Sequence, residues 1–105
     1  MSKINNKVLR KIFLAFIRIH ILYHAQKEEF FGLWMIEELQ NHGYSISPGT
    51  LYPILHNLKD DGLLKTTEKT VEGKNRKYYH LTEKGEKVLG EARSKISELS
   101  AEVME

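Results

Sequence analysis

Apolar positions along this chain fall into helical and alternating stretches that divide it into short elements. Over residues 5–26, Val8, Leu9, Ile12, Phe13, Phe16, Ile17, Ile21 and Leu22 recur every three or four places, with Ile19 and Tyr23 widening the stripe. That spacing predicts a long helix, and so broad an apolar face suits two neighbours, the domain's own core and a second copy of the chain. After a break at 27–31, Gly32 leads into Leu33-Trp34-Met35-Ile36-Glu37-Glu38-Leu39, a second helix that Gly43 can close in the left-handed conformation. Tyr44-Ser45-Ile46 is long enough only for a small strand. A third helix is predicted over 48–61, with Leu51, Ile54, Leu55 and Leu58 on one face and Gly62 as its stop. Ser47 is placed to cap it by accepting a backbone N–H, Pro48 suits the first helical position, and Pro53 lies so near the start that its missing N–H costs little.

Alternation takes over next. Residues 63–70 and 76–81 read as two strands joined through a turn at 71–75, a β-hairpin with Tyr79 and Leu81 on one face and Tyr78 and His80 on the other. Tyr79 is the candidate core residue, and Tyr78 is expected beside the third helix. Thr82 is a natural cap for a last helix, in which Val88, Ala92, Ile96, Leu99 and Val103 recur at four, four, three and four with Leu89 alongside. A narrow stripe on so long a helix resembles a coiled-coil seam, the alternative being a helix packed within its own domain.

The polar side of the third helix carries the candidate chemistry. Thr50, Tyr52, Pro53, His56, Asn57 and Lys59 must face away from the core, presenting hydroxyls, imidazole, amide and ammonium. That is the make-up of a helix that reads DNA, although an ordinary amphipathic surface helix shares the periodicity. Gly49 allows close approach of the backbone to a phosphate, while Ser47, Thr50 and Tyr52 offer hydroxyls near a helix N-terminus that favours an anion. His56 and Asn57, further along, are better placed for base edges, and Lys59 for a phosphate. Lys69, Lys74, Arg76 and Lys77 cluster about Gly73 in the hairpin, as sequence-independent clamping needs, with plain solvation the alternative for each.

Composition narrows the field. A chain of 105 residues makes one domain, and a net charge of +2 permits a polyanionic partner without demanding one. Residues 1–30 carry six Lys or Arg against Glu28 and Glu29, whereas 82–105 carry four against six Glu, so the basic excess avoids the tail. The absence of Cys excludes disulfides and thiolate chemistry and fits a reducing compartment. Arg18, His20 and His24 interrupt the early apolar stretch, which argues against export or membrane insertion; a cytoplasmic protein is expected. No nucleophile, base and orienting group can be assembled and no Gly-rich phosphate loop is present, so an enzyme is not expected and no cofactor is assigned. His20 and His24 stand one helical turn apart, but no carboxylate or Cys accompanies them at a ligand spacing, and His42 and His80 have less support; no metal site is assigned.

Three helices, a two-stranded hairpin and a helix follow the order of a winged helix-turn-helix unit, mainly α with a small β-hairpin and a long C-terminal dimerisation helix. Gly43-Tyr44-Ser45-Ile46-Ser47-Pro48-Gly49-Thr50-Leu51-Tyr52-Pro53-Ile54-Leu55-His56-Asn57-Leu58, followed by Asp61-Gly62-Leu63-Leu64, resembles the recognition helix of the PadR family of transcriptional regulators. Lys77-Tyr78-Tyr79-His80-Leu81-Thr82-Glu83-Lys84-Gly85 is similar to that family's motif at the exit of the wing. The likeness covers roughly residues 17–90, and the single final helix resembles the family's small type. It implies a homodimer that sets two recognition helices in successive major grooves, with the wings along adjacent phosphates and a repressor's function. Residues 1–81 would form the DNA-binding domain and 82–105 the dimerisation helix, with Phe13, Ile17, Val88, Ala92, Ile96, Leu99 and Val103 joining the copies. Family members commonly have an aromatic after the glycine matching Gly32 and a polar residue next; here Leu33 and Trp34 stand there. Trp34 belongs either to the core or, with Phe16 and Tyr23, to the lining of a cavity for a small aromatic or hydrophobic effector. The alternatives to a DNA-binding regulator are a winged-helix protein-interaction module and a protein that mainly senses a small molecule.

Overall fold

A computed structural model describes residues 3–105 of the chain, with side chains from residue 6 onward. The elements in order are α1 (Lys3–Lys27), β1 (Phe30–Phe31), α2 (Gly32–Asn41), α3 (Pro48–Asp60), β2 (Leu64–Val71), β3 (Lys74–Leu81) and α4 (Glu83–Val103). The fold is mainly helical with a small antiparallel sheet, the expected class, and the helices run within a few residues of where periodicity puts them.

The third strand of the sheet lies at 30–31, within the break read from the sequence, whereas Tyr44-Ser45-Ile46, the candidate for a small strand, forms none. β1 pairs antiparallel with β3, Phe30 opposite Tyr79 and Phe31 opposite Tyr78, giving the order β1-β3-β2. Phe30 is buried and its ring stacks on Tyr79 with centroids 5.6 Å apart, while Phe31 meets Tyr78 edge-on at 5.7 Å. Two residues carry no alternation to read, so this strand exists because aromatic pairing across β3 holds it there. The hairpin turn is also tighter than 71–75. Val71 pairs with Lys74, leaving only Glu72 and Gly73 in the loop, both at positive φ (51° and 78°). Two left-handed residues in succession match the right-handed twist of the flanking strands, and Gly73 adopts that conformation without strain.

Every helix and the hairpin contribute to one core. Ile21 of α1, Met35 and Leu39 of α2, Leu51 and Leu55 of α3, Leu64 of β2 and Leu89 of α4 are fully buried. Ile17, expected on the dimer face, is instead buried in this core, because the α1 stripe is wide enough for its inner edge to serve the domain itself. Leu89 ties the start of α4 down, but from Arg93 to the chain end every residue is exposed. The projecting helices make the molecule long, 49 × 32 × 23 Å.

Thr82 clamps the exit of the hairpin to the end of α3. Its Oγ1 accepts the Gly85 N–H at 3.0 Å, as a cap should, and donates to the Gly62 carbonyl at 2.6 Å. The Thr82 N–H donates to the Leu63 carbonyl at 3.1 Å and Lys84 Nζ to the Asp61 carbonyl at 2.8 Å. At the other end of α3 the expected Ser47 side-chain cap is not made: the Ser47 backbone carbonyl instead accepts the N–H groups of Thr50 and Leu51 at 3.0 and 2.9 Å. Gly85 is buried so closely that an added Cβ would run into the Leu63 carbonyl and the Leu81 side chain. Because the obstacle is partly backbone and cannot swing aside, Gly85→Ala is expected to cost about 1–3 kcal/mol of stability in urea unfolding, with the wing displaced. Wild-type stability in that variant would show that the clamp is loose.

Candidate nucleic-acid interface

Burial of Leu51, Ile54, Leu55 and Leu58 fixes how α3 is turned. Ser47, Gly49, Tyr52, Pro53, His56, Asn57 and Lys59 are consequently exposed, and Thr50 is half-buried. Tyr52 does more than face solvent: its ring lies so close over Gly32, at the start of α2, that a Cβ there would collide with it. The phenol of Tyr79 is pushed above its ordinary pKa first by burial and then by Tyr52. His56 Nε2 lies 3.3 Å from Asp60 Oδ2 one turn along, an exposed pair that forms when the imidazole is protonated.

Strand register divides the basic residues of the wing between two faces. Lys69 opposite Arg76 and Val71 opposite Lys74 share the outer face with Tyr78, whereas Lys77 stands opposite Glu68 on the face that continues from Tyr79. The ammonium of Lys69 is engaged rather than free: it pairs with Glu29 and lies 5.0 Å over the Tyr78 ring. The Arg76 guanidinium sits 4.2 Å over the Phe31 ring, the geometry of a cation held by an aromatic face. Lys74 and Lys77 are exposed near the tip, in no ion pair among the described residues. Tyr78, expected beside α3, packs on Phe31 instead, because its face of the sheet is turned toward β1's outer side. Between α3 and the wing, Tyr52, Asn75, Arg76, Lys77 and Tyr79 help line a cavity of about 290 Å³. A helix N-terminus, a polar row and lysines at a hairpin tip thus lie beside one another, an arrangement able to hold a polyanion along its backbone.

The expected effector lining is divided. Phe16 and Tyr23 line a cavity of about 480 Å³ between α1 and α4, with Tyr44, Leu89 and Ile96 among its walls. Trp34 is neither there nor in the core. It is 39% exposed, stands edge-on to His24 and lines a separate cavity of about 440 Å³ with Phe30 and Tyr78. Of the candidate joining residues, Phe13, Ile96, Leu99 and Val103 are exposed, and Val88 and Ala92 are half-buried. Sequence reasoning missed the support that Glu29 and Phe31 give the wing, and it missed His42 and Glu38 closing on His20 and His24. The four-residue step from Glu38 to His42 was visible, but the meeting of that turn with α1 is tertiary. Among the described residues no helix is long and apolar enough to cross a membrane.

A helix-turn-helix of α2 and α3 followed by a hairpin with a basic tip is the winged helix-turn-helix arrangement of DNA-binding proteins. The chain belongs to the transcriptional regulator PadR-like family, whose profile matches residues 21–91. It is 45% identical over 96 residues to the transcriptional regulator Rv3488 of Mycobacterium tuberculosis, covering 91% of this chain and 90% of that protein. A crystal structure of a PadR family transcriptional regulator from Eggerthella lenta superposes with a TM-score of 0.83 at 27% identity, covering 97% of this chain and 90% of that one. The PadR-like transcriptional regulator BC4206 of Bacillus cereus superposes with a TM-score of 0.82 at 32% identity over 89% and 92% of the two chains. The family's members are non-enzymatic, DNA-binding regulators, and the chain is a transcriptional regulator of that kind.

Proposed function

We propose that this protein is a homodimeric, sequence-specific regulator of double-stranded DNA, a cytoplasmic repressor that blocks a promoter by occupying it and is released by a small hydrophobic or aromatic effector. The observation that carries the reading is the exposed polar face of α3 beside the basic tip of the wing. Ser47, Gly49, Thr50 and Tyr52 contact phosphate at the helix N-terminus, Pro53 shapes the surface there, His56 and Asn57 reach base edges, and Lys59 meets the far phosphate. Lys74, Arg76 and Lys77 clamp the adjacent backbone, and Lys69 stiffens the wing through Glu29.

Residues 1–81 act as the reading domain and 82–105 as the joining helix, with the seam on Val88, Ala92, Ile96, Leu99 and Val103 aided by Phe13. The exposure of the large apolar residues among them supports this. Phe16 and Tyr23 supply the aromatic wall of the effector cavity.

Four measurements test the reading. Selection from a random duplex pool should return two-fold symmetric half-sites about 34–36 Å apart, and Asn57→Ala should lose about 1–3 kcal/mol of discrimination with non-specific binding kept. A uniform loss on all DNA would take Asn57 away from the bases. Lys74→Ala should weaken binding to every sequence and lower the salt slope by about one unit, whereas an unchanged slope removes the clamp. Leu99→Glu should sediment as a monomer; a surviving dimer moves the seam elsewhere.

A further inference from the structure

Three imidazoles converge where α1 meets the end of α2. His20 and His24 stand one turn apart on α1, and His42 is the residue that ends α2. One ring nitrogen from each lies within 4.8 Å of the other two. Glu38, one turn before His42, brings a carboxylate: its Oε2 is 3.0 Å from His42 Nε2 and 3.4 Å from His24 Nε2. Around a tetrahedral zinc ion with bonds of about 2.0–2.1 Å, neighbouring donor atoms are about 3.4 Å apart. The carboxylate therefore already stands at donor-to-donor distance from two of the imidazoles.

Two further observations set this cluster apart from an ordinary surface group. His24 Nε2 is buried with no hydrogen-bond partner among the described residues, a condition rare for buried polar atoms. His20 and His24 are also held below the ordinary histidine pKa, first by burial, with His42 acting in the same direction; Glu38 opposes the shift.

We propose that His20, His24, His42 and Glu38 form a site for one divalent late transition metal ion per chain, of the zinc type, with three imidazole nitrogens and one carboxylate oxygen. Imidazole-rich donor sets favour zinc, copper, nickel or cobalt over magnesium or calcium, and the chain has no thiolate to compete. The three histidines line the cavity of about 480 Å³ between α1 and α4, which gives the ion a path in. An ion here joins the middle of α1 to the turn that leads into α3. The site uses none of the residues assigned to DNA.

The test is a titration of the purified full-length chain with zinc against a chromophoric chelator, paired with cobalt(II) absorption spectroscopy. One ion per chain is expected, bound in the micromolar range or tighter, with the visible bands of tetrahedral cobalt. His42→Ala, at an exposed position, should retain the folded circular dichroism spectrum and weaken binding by more than about 100-fold, beyond the loss typical of a merely supporting residue. His20→Ala should do the same, and His80→Ala, outside the cluster, should bind as the parent does. Absence of binding by the folded parent, parental affinity in His42→Ala, or loss of the ion in His80→Ala would each overturn the assignment. The titration needs no DNA, so its outcome and that of the operator assays are read separately.

Discussion

The rotation of α3 about its own axis is the constraint on which the rest of the molecule depends. Leu51 and Leu55 are fully buried and Ile54 and Leu58 nearly so, against Ile21, Leu39 and Leu64 from three other elements. At about 1.5–3 kcal/mol for each large apolar side chain, turning the helix by even one position would expose more than the fold can lose. The outward face is therefore held to one orientation by residues that take no part in recognition. Apart from Tyr52, which packs over Gly32, and the half-buried Thr50, side chains on that face are free to be chosen for their hydrogen bonding, since core stability does not rest on them.

The wing is rigid at its base and free at its tip, and the difference is chemical. At the base, Phe30 and Tyr79 stack inside the core while Thr82 bonds both the α3 exit and the first turn of α4. Toward the tip there is only ladder pairing, the exposed Asn75 to Glu68 hydrogen bond at 2.9 Å, and a left-handed two-residue turn. Exposed polar contacts of this kind contribute a few tenths of a kcal/mol, so the tip can adjust to a backbone whose path varies. The Lys69 pair with Glu29 marks the boundary between the two regimes.

The stripes of α1, α2, α3 and α4 and the alternation of the hairpin were legible because each repeats over several turns or residues. What the sequence left open was partition among neighbours. Periodicity gives α1 one broad face, yet only packing sends Ile17 inward and leaves Phe13 and Phe16 at the surface. β1 is too short to have a pattern, and Glu72 takes positive φ without being glycine, which hid the tight turn. Ser47 looks like a cap, but its own carbonyl already takes the Thr50 N–H that the hydroxyl would have bound. The polar row on α3 was readable since it is the complement of a strong apolar stripe. The imidazole cluster was not, because His42 reaches His20 only through the way α2 packs on α1.

The exposed faces of α1 and α4 follow from the same economy of a small chain. The core takes the inner edge of α1 and the first turns of α4, ending near Leu89, and Arg93 is tied back to Gln26 at 2.8 Å. Beyond that point α4 has Ile96, Leu99 and Val103 on one side with no interior to enter, and a lone helical segment of that length is marginal in water. In the proposed dimer a second copy supplies what is missing. Phe16 and Ile96 belong at once to these open faces and to the walls of the cavity that His20, His24 and His42 line. Whatever fills that cavity therefore bears on the packing of α4 against α1. In a dimer joined through α4, that packing sets the separation of the two copies of α3.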